Sequence, residues 1–396
     1  MHILGNDGKN PKEIHPGPHE LSGSIRKADL MEGRQISWKE DYVLNPVRLV
    51  KQWGLKSEIW SLQKPHLPDE ETYGGVVIKR FPGTFSLLWN LLKEKNVALV
   101  LAHLRPYPPA ILSPLTGKPC ILIPHTYELG SNWPIKKISL FLMRRFKKVI
   151  ALTPYERGVY LSNGLKEERV ILLPHAIDAD FFSGAPKASK ASIQKKFSIS
   201  NRDFVLTSIS NFRKFKNLDT IIEAFASFNK RHPSSKLLIV GENQLKNPRY
   251  RDQSASRFKG VRDPEEIISQ HKLKGRVIFT GGLNFEGVRE ALHISDIFVN
   301  NSDPETMGIS VYEAAAAGIP SCLPSIPSFT AVFGSHALYS PPRDPEQLAK
   351  IFEQYFSQPA LRESMRRELQ QFIRQFDYPV FMKKLEALYR ELISRR

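Results

Sequence analysis

Cysteine is scarce in this chain of 396 residues, which contains only Cys120 and Cys322, each inside an apolar run. Two isolated cysteines exclude the disulfide framework of a small secreted domain and a cysteine-rich metal site. Long apolar runs are also absent, since none approaches the ~18 to 20 residues that a membrane-spanning helix needs. Residues 1–14 lack the apolar core of a signal peptide. These absences favour a protein of the reducing cytoplasm.

Acidic residues are in the minority, with 40 Asp and Glu against 57 Lys and Arg and a formal net charge of +17. A basic surface attracts anionic partners, whether nucleic acid, acidic lipid or phosphorylated small molecules, and charge alone does not choose among them. The chain has no zinc-finger spacing, no RNA-recognition motif and no long basic helix. We therefore do not expect nucleic acid to be its partner.

Short apolar runs alternate with helical patterns after residue 55, which predicts a parallel α/β architecture. Several runs are apolar at consecutive positions, as in strands that are covered on both faces. The predicted strands are 57–60, 76–79, 98–103, 120–125, 148–153 and 170–175 in the first half and 204–210, 236–241, 277–281, 297–301 and 319–324 in the second.

This alternation predicts two Rossmann-like domains, each with a doubly wound parallel sheet, that face each other across a cleft. The domains are expected over 1–182 and 201–375, joined by a small and basic linker over 183–200. A closing amphipathic helix over 376–396 is expected to pack back on the N-terminal domain. Two polar stretches, 5–40 and 242–263, fit neither the strand nor the helix pattern.

The most informative stretch is NNSDPETMGISVYEAAAAGIPSCLP, which predicts a loop, a helix over 307–317 and a strand. A helix that begins just after a strand points free N–H groups into the crevice above the sheet, which favours a diphosphate. Gly308 would let phosphates approach the backbone closely. Glu305 and Glu313 flank this anion site, where carboxylates suit hydroxyl groups. We predict that Glu313 binds a ribose and Glu305 a transferred sugar.

The Glu-x7-Glu spacing within PETMGISVYEAAAAGIP resembles the signature of retaining glycosyltransferases of family 4, which have the GT-B fold. The segments 151–182, 208–242 and 277–305 resemble the same family in the same order. The resemblance covers most of 145–396 and is weak before about residue 95. It implies transfer of a sugar from a UDP- or GDP-sugar donor to a glycan or lipid-linked acceptor, with retention of configuration. It also implies that no metal ion or other cofactor takes part.

In this family a basic pair after the first strand of the C-terminal domain holds the donor diphosphate. Lys216 lies at the position of the family lysine, although an ordinary surface lysine is the alternative interpretation. Asn211 replaces the usual arginine, and Arg213 is near enough to substitute for it. The donor-binding residues that the resemblance implies are Lys216, Arg213, Asn211, Met307, Gly308, Ile309, Ser310 and Glu313.

The implied catalytic residues are Glu305 and His125. His125 ends the predicted strand CILIPH, where similar enzymes often have a histidine that reaches the transferred sugar or the acceptor. A structural histidine and an exposed loop carboxylate are the alternatives. His175 and Asp178, in the segment LPHAID, we interpret as hinge residues of the turn between the domains.

The chain departs from the family pattern in two places. A glycine-rich loop is usual after the first strand, but NDGKNPKEIHPGP stands there, and 324–334 lacks the usual Gly-Gly turn and glutamate. The alternatives are therefore a catalytically silent GT-B domain that binds a glycan or a partner protein, and a synthase or phosphorylase on the same fold.

The segment 133–148 contains six Lys or Arg and no acid. Its apolar residues Ile138, Leu142 and Phe146 recur at helical spacing, which predicts a helix that packs on the sheet. With its cations directed outward, such a helix also suits an anionic membrane surface. We expect the protein either free in the cytoplasm or peripheral on the inner face of the cytoplasmic membrane.

Overall fold

The computed structural model of the chain describes residues 2–5, 12–15, 56–63, 67–73, 76–95, 97–103, 108–124, 133–241 and 262–394. The chain divides into two compact units, 1–176 with 379–396 and 177–378. Within the described helices, none is both long enough and apolar enough to cross a bilayer.

The strands are β1 (His2–Gly5), β2 (Lys12–His15), β3 (Lys56–Leu62), β4 (Glu70–Tyr73), β5 (Val76–Phe81), β6 (Val97–His103), β7 (Cys120–Ile123), β8 (Lys148–Ala151), β9 (Val170–Leu172), β10 (Phe204–Ile209), β11 (Ser235–Val240), β12 (Val277–Gly281), β13 (Ile297–Val299), β14 (Ser321–Pro324) and β15 (Leu338–Ser340). The α-helices are α1 (Thr84–Lys93), α2 (Pro108–Leu112), α3 (Trp133–Met143), α4 (Pro154–Ser162), α5 (Ala179–Ser183), α6 (Lys190–Lys196), α7 (Leu218–Asn229), α8 (Pro264–Gln270), α9 (Phe285–His293), α10 (Ile309–Ala316), α11 (Pro327–Phe333), α12 (Pro345–Ser357), α13 (Pro359–Phe372) and α14 (Tyr378–Ser394).

The first unit contains a sheet with the strand order β4-β5-β3-β1-β2-β6-β7-β8-β9. The strands β2, β3 and β5 to β9 run parallel to one another, whereas β1 and β4 are antiparallel to their neighbours. All seven residues of β6 are buried, as expected of a central strand that is covered on both faces. Helix α14 belongs to this unit, and Lys148 Nζ lies 3.4 Å from Glu391 Oε1.

The second unit contains a fully parallel sheet with the strand order β12-β11-β10-β13-β14-β15. Numbered within the unit, this order is 3-2-1-4-5-6, the arrangement of a dinucleotide-binding Rossmann fold. Its core lies between the sheet and helices α7 and α12, where Phe225, Phe228 and Phe352 are fully buried. The predicted α/β class and the two Rossmann-like halves are therefore confirmed.

The predicted linker differs from the structure. Residues 183–200 contain α6, and Ile193, Phe197 and Ile199 pack into a core cluster with Val205 and Leu238 of the second sheet. The segment thus lies inside the second unit, which begins at Ile177 rather than at residue 201. Its low apolar content concealed the helix, because one side of a short surface helix needs only a few apolar residues.

Besides β1, which the short apolar start of the chain indicates, three of the described strands are not among the predicted runs. Strands β2 and β4 are short and polar, and β2 falls within the stretch 5–40 that showed no pattern. Strand β15 is three residues long. Sheet pairing with longer neighbours stabilises such strands, so their own residues carry little signal.

Candidate active site

The strand order of the second sheet reverses between β10 and β13, whose carboxyl ends lie side by side. In open α/β sheets, ligands bind in the crevice outside such a switch point. The loops that follow these two strands, 210–217 and 300–308, therefore define the candidate site.

Hydrogen bonds join these two loops to each other. The backbone N–H of Asp303 donates to the Phe215 carbonyl at 2.7 Å, and Asn217 Nδ2 donates to the Asn301 carbonyl at 2.8 Å. Asn217 has a φ of 47°, a left-handed conformation that asparagine tolerates better than most residues. These contacts set the spacing between the side chains that the two loops carry.

Lys216 and Glu305, which belong to separate sequence motifs, meet at this point. Lys216 Nζ lies 2.5 Å from Glu305 Oε2, and the two side chains are 19% and 15% exposed. The ammonium group also lies 5.0 Å from the centre of the Phe215 ring. Such a charge-assisted contact in a poorly solvated position is strong. A diphosphate, which carries more negative charge than one carboxylate, can compete for the lysine.

Helix α10 begins beside this ion pair, at Ile309. Its N-cap residue Gly308 has a φ of 66° and provides no side-chain cap. A Cβ atom on Gly308 would lie 2.8 and 2.9 Å from two ring carbons of Phe329 and 3.2 Å from Glu305 Cγ. Both the backbone conformation and the close packing therefore require glycine. The first N–H groups of the helix have no partner within it and are suited to an anion.

The residues predicted around this helix start differ in accessibility. The Met307 side chain is buried, with 2% exposure, so this side chain is not accessible to a ligand. Ile309 and Ser310 are half-buried. The observed helix starts two residues later than the predicted one, because Gly308 occupies a left-handed rather than a helical conformation.

Glu313 lies one turn into α10 and is half-buried. Burial raises the pKa of its carboxyl to about 7. Among the residues that the structure describes, none forms a hydrogen bond or an ion pair with this carboxyl. A ligand hydroxyl would supply the partner that the carboxyl lacks.

Arg213 and Asn211 lie in the loop after β10. Arg213 Nε is buried and has no hydrogen-bond partner within the described part of the chain, whereas Asn211 is exposed. The end of β11 packs closely on this loop, since a Cβ atom on Gly241 would lie 2.1 Å from the Ser210 carbonyl oxygen. Of these two residues only Arg213 can provide a second positive charge, since asparagine is uncharged.

Three consecutive buried polar residues after β13, Asn300, Asn301 and Ser302, were not predicted. Asn300 Oδ1 accepts from the Ser302 N–H at 2.8 Å, and Asn301 Oδ1 accepts from the Arg343 N–H at 3.0 Å. Within the described residues, Asn301 Nδ2 and Ser302 Oγ have no hydrogen-bond partner. A polar run directly after an apolar strand was the available signal, because strand ends face the ligand crevice.

His125, predicted as catalytic, lies outside the described residues. His175 is buried, and Asp178 caps helix α5 by accepting from the Phe181 N–H at 2.9 Å. No group of three or more His, Cys, Asp or Glu in the described ranges is arranged to hold a metal ion.

The first unit contains another carboxyl with a raised pKa. Burial raises the pKa of Glu156 to about 7. This carboxyl accepts from the Leu152 N–H and the Tyr160 hydroxyl, each at 2.5 Å, and Thr153 caps the same helix by accepting from the Glu156 N–H at 3.1 Å. These contacts provide hydrogen-bond acceptors for backbone N–H groups at the start of α4, so the role of Glu156 is structural.

Comparison with solved structures defines the class to which this fold belongs. The chain superposes on a glycosyltransferase from Rickettsia africae with a TM-score of 0.75 at 17% identity, covering 97% of this chain and 98% of that one. It also superposes on HepE from Anabaena in complex with UDP-glucose, with a TM-score of 0.67 at 14% identity, covering 88% and 94%. The fold is that of the GT-B glycosyltransferases.

Two family models match consecutive parts of the chain. Residues 42–181 match the model "Glycosyltransferase Family 4", and residues 189–372 match "Glycosyl transferases group 1". The chain belongs to this family of glycosyltransferases, and the resemblance found in its sequence is confirmed.

Similar curated proteins have varied substrates. Mannosylfructose-phosphate synthase of Agrobacterium fabrum is 26% identical over 56% of this chain and 48% of its own length. Alpha-D-kanosaminyltransferase of Streptomyces kanamyceticus is 23% identical over 79% and 83%. An Escherichia coli galactosyltransferase that uses UDP-Gal and GlcNAc-diphosphoundecaprenol is 25% identical over 60% and 60%. The match thus spans about half the length of the first of these relatives and three-fifths of the last.

Proposed function

We propose that the chain transfers a sugar from a UDP- or GDP-sugar to a glycan or lipid-linked acceptor, with retention of configuration and without a metal ion. This proposal is based mainly on the ion pair between Lys216 and Glu305, which lies beside the start of α10 at the switch point of the second sheet. The names of two similar proteins support the donor and acceptor classes, since one binds UDP-glucose and another uses a diphosphoundecaprenol-linked sugar.

The proposed donor site divides the nucleotide sugar among its residues. Lys216, Arg213 and the N–H groups of α10 provide positive charge where a leaving diphosphate gains negative charge. Glu305 is released from Lys216 by the diphosphate and then accepts from hydroxyls of the transferred sugar. Glu313 accepts from the ribose hydroxyls. In this arrangement, fixed positive groups of the protein take the place of a divalent cation.

Calorimetry with UDP, GDP and ADP tests the donor site. We expect one nucleotide to bind wild-type protein at micromolar strength, and Glu313→Ala to lose most of this affinity. Glu346→Ala, which removes an exposed carboxyl from the start of α12, is the matched control and should bind like the wild type. If no nucleotide binds to folded wild-type protein, the catalytically silent alternative replaces the proposal.

The pKa of Glu313 provides a second test. A carboxyl whose pKa is about 7 is largely protonated at about pH 6, and a ribose hydroxyl prefers to donate to the ionised form. Nucleotide affinity should therefore rise between about pH 6 and pH 8 in the wild type. Glu313→Gln should show only the smaller dependence that ionisation of the nucleotide itself contributes. Equal pH profiles would remove Glu313 from the site.

Retention and metal independence are tested on turnover. In the absence of an acceptor, slow hydrolysis of the donor sugar should release the anomer that the donor carried, as followed by NMR of the anomeric proton. The rate should persist in excess EDTA. Release of the opposite anomer, or complete loss of the rate in EDTA, would contradict that part of the proposal.

We also propose that the protein works in the cytoplasm and at the inner face of the cytoplasmic membrane. The basic segment 133–148 and a lipid-linked acceptor both suit this location.

A further inference from the structure

Helix α1 has two apolar faces. Leu87 and Leu91 are fully buried against the sheet of the first unit. Phe85, Trp89 and Leu92 recur at the positions i, i+4 and i+7 on the opposite side and are 78%, 47% and 51% exposed. A surface helix usually presents polar residues to water on that side, so the second apolar face requires a separate explanation.

Neighbouring elements extend this exposed face. Helices α1, α2 and α3 contribute Leu87, Ala110 and Met143 to one core cluster, so they cover the same side of the sheet. Their outer surfaces, with the turn 113–116, carry six exposed large apolar residues that we call the apolar face: Phe85, Trp89, Leu92, Leu115, Ile138 and Phe141. Only three other large apolar residues in the described part of the chain are comparably exposed.

Basic residues accompany the aromatic rings of the apolar face. Lys93 Nζ lies 4.9 Å from the centre of the Trp89 ring, and Arg145 Cζ lies 4.5 Å from the centre of the Phe141 ring. Lys147 is also exposed. Acids are almost absent, because 84–123 contain Glu94 alone and 133–149 contain none. Long basic side chains beside exposed aromatic rings suit the boundary between lipid headgroups and acyl chains.

We propose that the apolar face docks the protein on an anionic lipid membrane, with its aromatic rings inserted among the lipids and its cations against the headgroups. This inference rests on the proposed function in one respect, which is that the membrane surface would present the lipid-linked acceptor. A second copy of the chain is a poorer occupant, because a two-fold contact would bring the same cations together. Because these segments contain almost no acids, the apolar face suits an anionic surface better than a neutral or basic one.

Vesicle sedimentation with the full chain tests the docking. Wild-type protein should bind vesicles of phosphatidylcholine mixed with phosphatidylglycerol, and bind vesicles of phosphatidylcholine alone far more weakly. The triple variant Lys93→Glu, Arg145→Glu and Lys147→Glu should lower the partition coefficient for the anionic vesicles by about 100-fold or more. The matched control reverses three exposed cations of the second unit, Arg202, Lys230 and Lys350, and should bind nearly as the wild type does.

A second variant separates insertion from charge. Brominated lipids should quench the fluorescence of wild-type protein, and Trp89→Phe should lose most of this quenching. The double variant Phe85→Ser and Trp89→Ser should bind anionic vesicles at least 10-fold more weakly. If both the charge and the apolar variants bind like the wild type, or if they convert a dimer to a monomer in sedimentation equilibrium, the membrane proposal is overturned.

Nucleotide calorimetry on the same variants keeps this inference separate from the proposed function. The substitutions lie in the first unit, whereas the proposed donor site lies in the second. Nucleotide affinity should therefore stay unchanged when vesicle binding is lost. Wild type that binds vesicles but no nucleotide would contradict only the proposed function.

Discussion

Gly308 offers a sharp test of the geometry at the proposed donor site. The substitution Gly308→Ala adds one Cβ atom, which the structure places 2.8 Å from Phe329 Cζ and 3.2 Å from Glu305 Cγ. The same residue must keep a φ of 66°. The added methyl group therefore destabilises the protein in two separate ways, by backbone strain and by overpacking. Each cost can be measured with a matched control variant in the second unit.

The expected cost is the sum of the two penalties. A left-handed conformation costs an L-residue about 1 to 2 kcal/mol, and overpacking a dense site costs about 1 to 3 kcal/mol. Gly275→Ala isolates the first penalty, because Gly275 has a φ of 74° and open space around its missing Cβ. Gly308→Ala should thus destabilise the second unit by about 2 to 5 kcal/mol, and Gly275→Ala by about 1 to 2 kcal/mol.

Thermal and urea unfolding of these variants measures both penalties. Phe329→Ala removes the ring that the new Cβ would meet, so the double variant with Gly308→Ala should cost less than the sum of the single variants, by about 1 to 3 kcal/mol. Nucleotide affinity of Gly308→Ala should fall as well, because the displaced Glu305 loop carries the partner of Lys216. If Gly308→Ala costs no more than Gly275→Ala, or if the cycle is additive, the packing of Phe329 on the helix start is not as described.

Three further predictions concern other described residues. Burial raises the pKa of Glu156 from 4.5 to about 7, so the folded state retains a proton that the unfolded state releases. The contribution of this carboxyl to stability is therefore fully present below about pH 4.5 and falls by about 3 kcal/mol as the pH rises through 7. Glu156→Gln should abolish this part of the pH dependence of the melting temperature, and an unchanged slope would exclude Glu156 as its source. Lys216→Met leaves the carboxylate of Glu305 unpaired and should destabilise the protein by about 2 kcal/mol. The double variant with Glu305→Gln should recover most of this stability in urea titrations. Failure to recover it would mean that the ion pair is not formed. Gly241→Ala would place a Cβ atom 2.1 Å from the Ser210 carbonyl oxygen at a φ of 153°, so circular dichroism should show loss of folded second unit, and a native melting curve would refute this contact.

The strands of the second sheet could be predicted well because each one is marked locally. The runs at 204–210, 236–241, 277–281, 297–301 and 319–324 differ from the observed strands by at most two residues at either end. Full burial on both faces requires consecutive apolar residues, and this pattern survives in the linear sequence. Strand β15 lacks the pattern, since sheet pairing rather than its own composition stabilises it.

The donor-site residues were predictable to different degrees. Glu305, Gly308 and Glu313 stand at fixed spacings in one motif, so their proximity follows from a loop and a helix start. Phe329 could not be predicted, because its contact with Gly308 arises from the packing of α11. Asn301 and Ser302 were passed over, although their polar character directly after β13 is visible in the sequence.

The α/β class, the family and the motif of the donor site could therefore be read from the chain alone, because they depend on apolar patterns and spacings within short segments. Folding was needed to bring Lys216 and Glu305, which are 89 residues apart, into an ion pair. Folding also places the exposed apolar residues of the helices α1 to α3 on one side of the first sheet. Both results depend on the order of strands in a sheet and on the side that each helix covers. Neighbouring residues do not encode that order, since contacts between distant segments establish it.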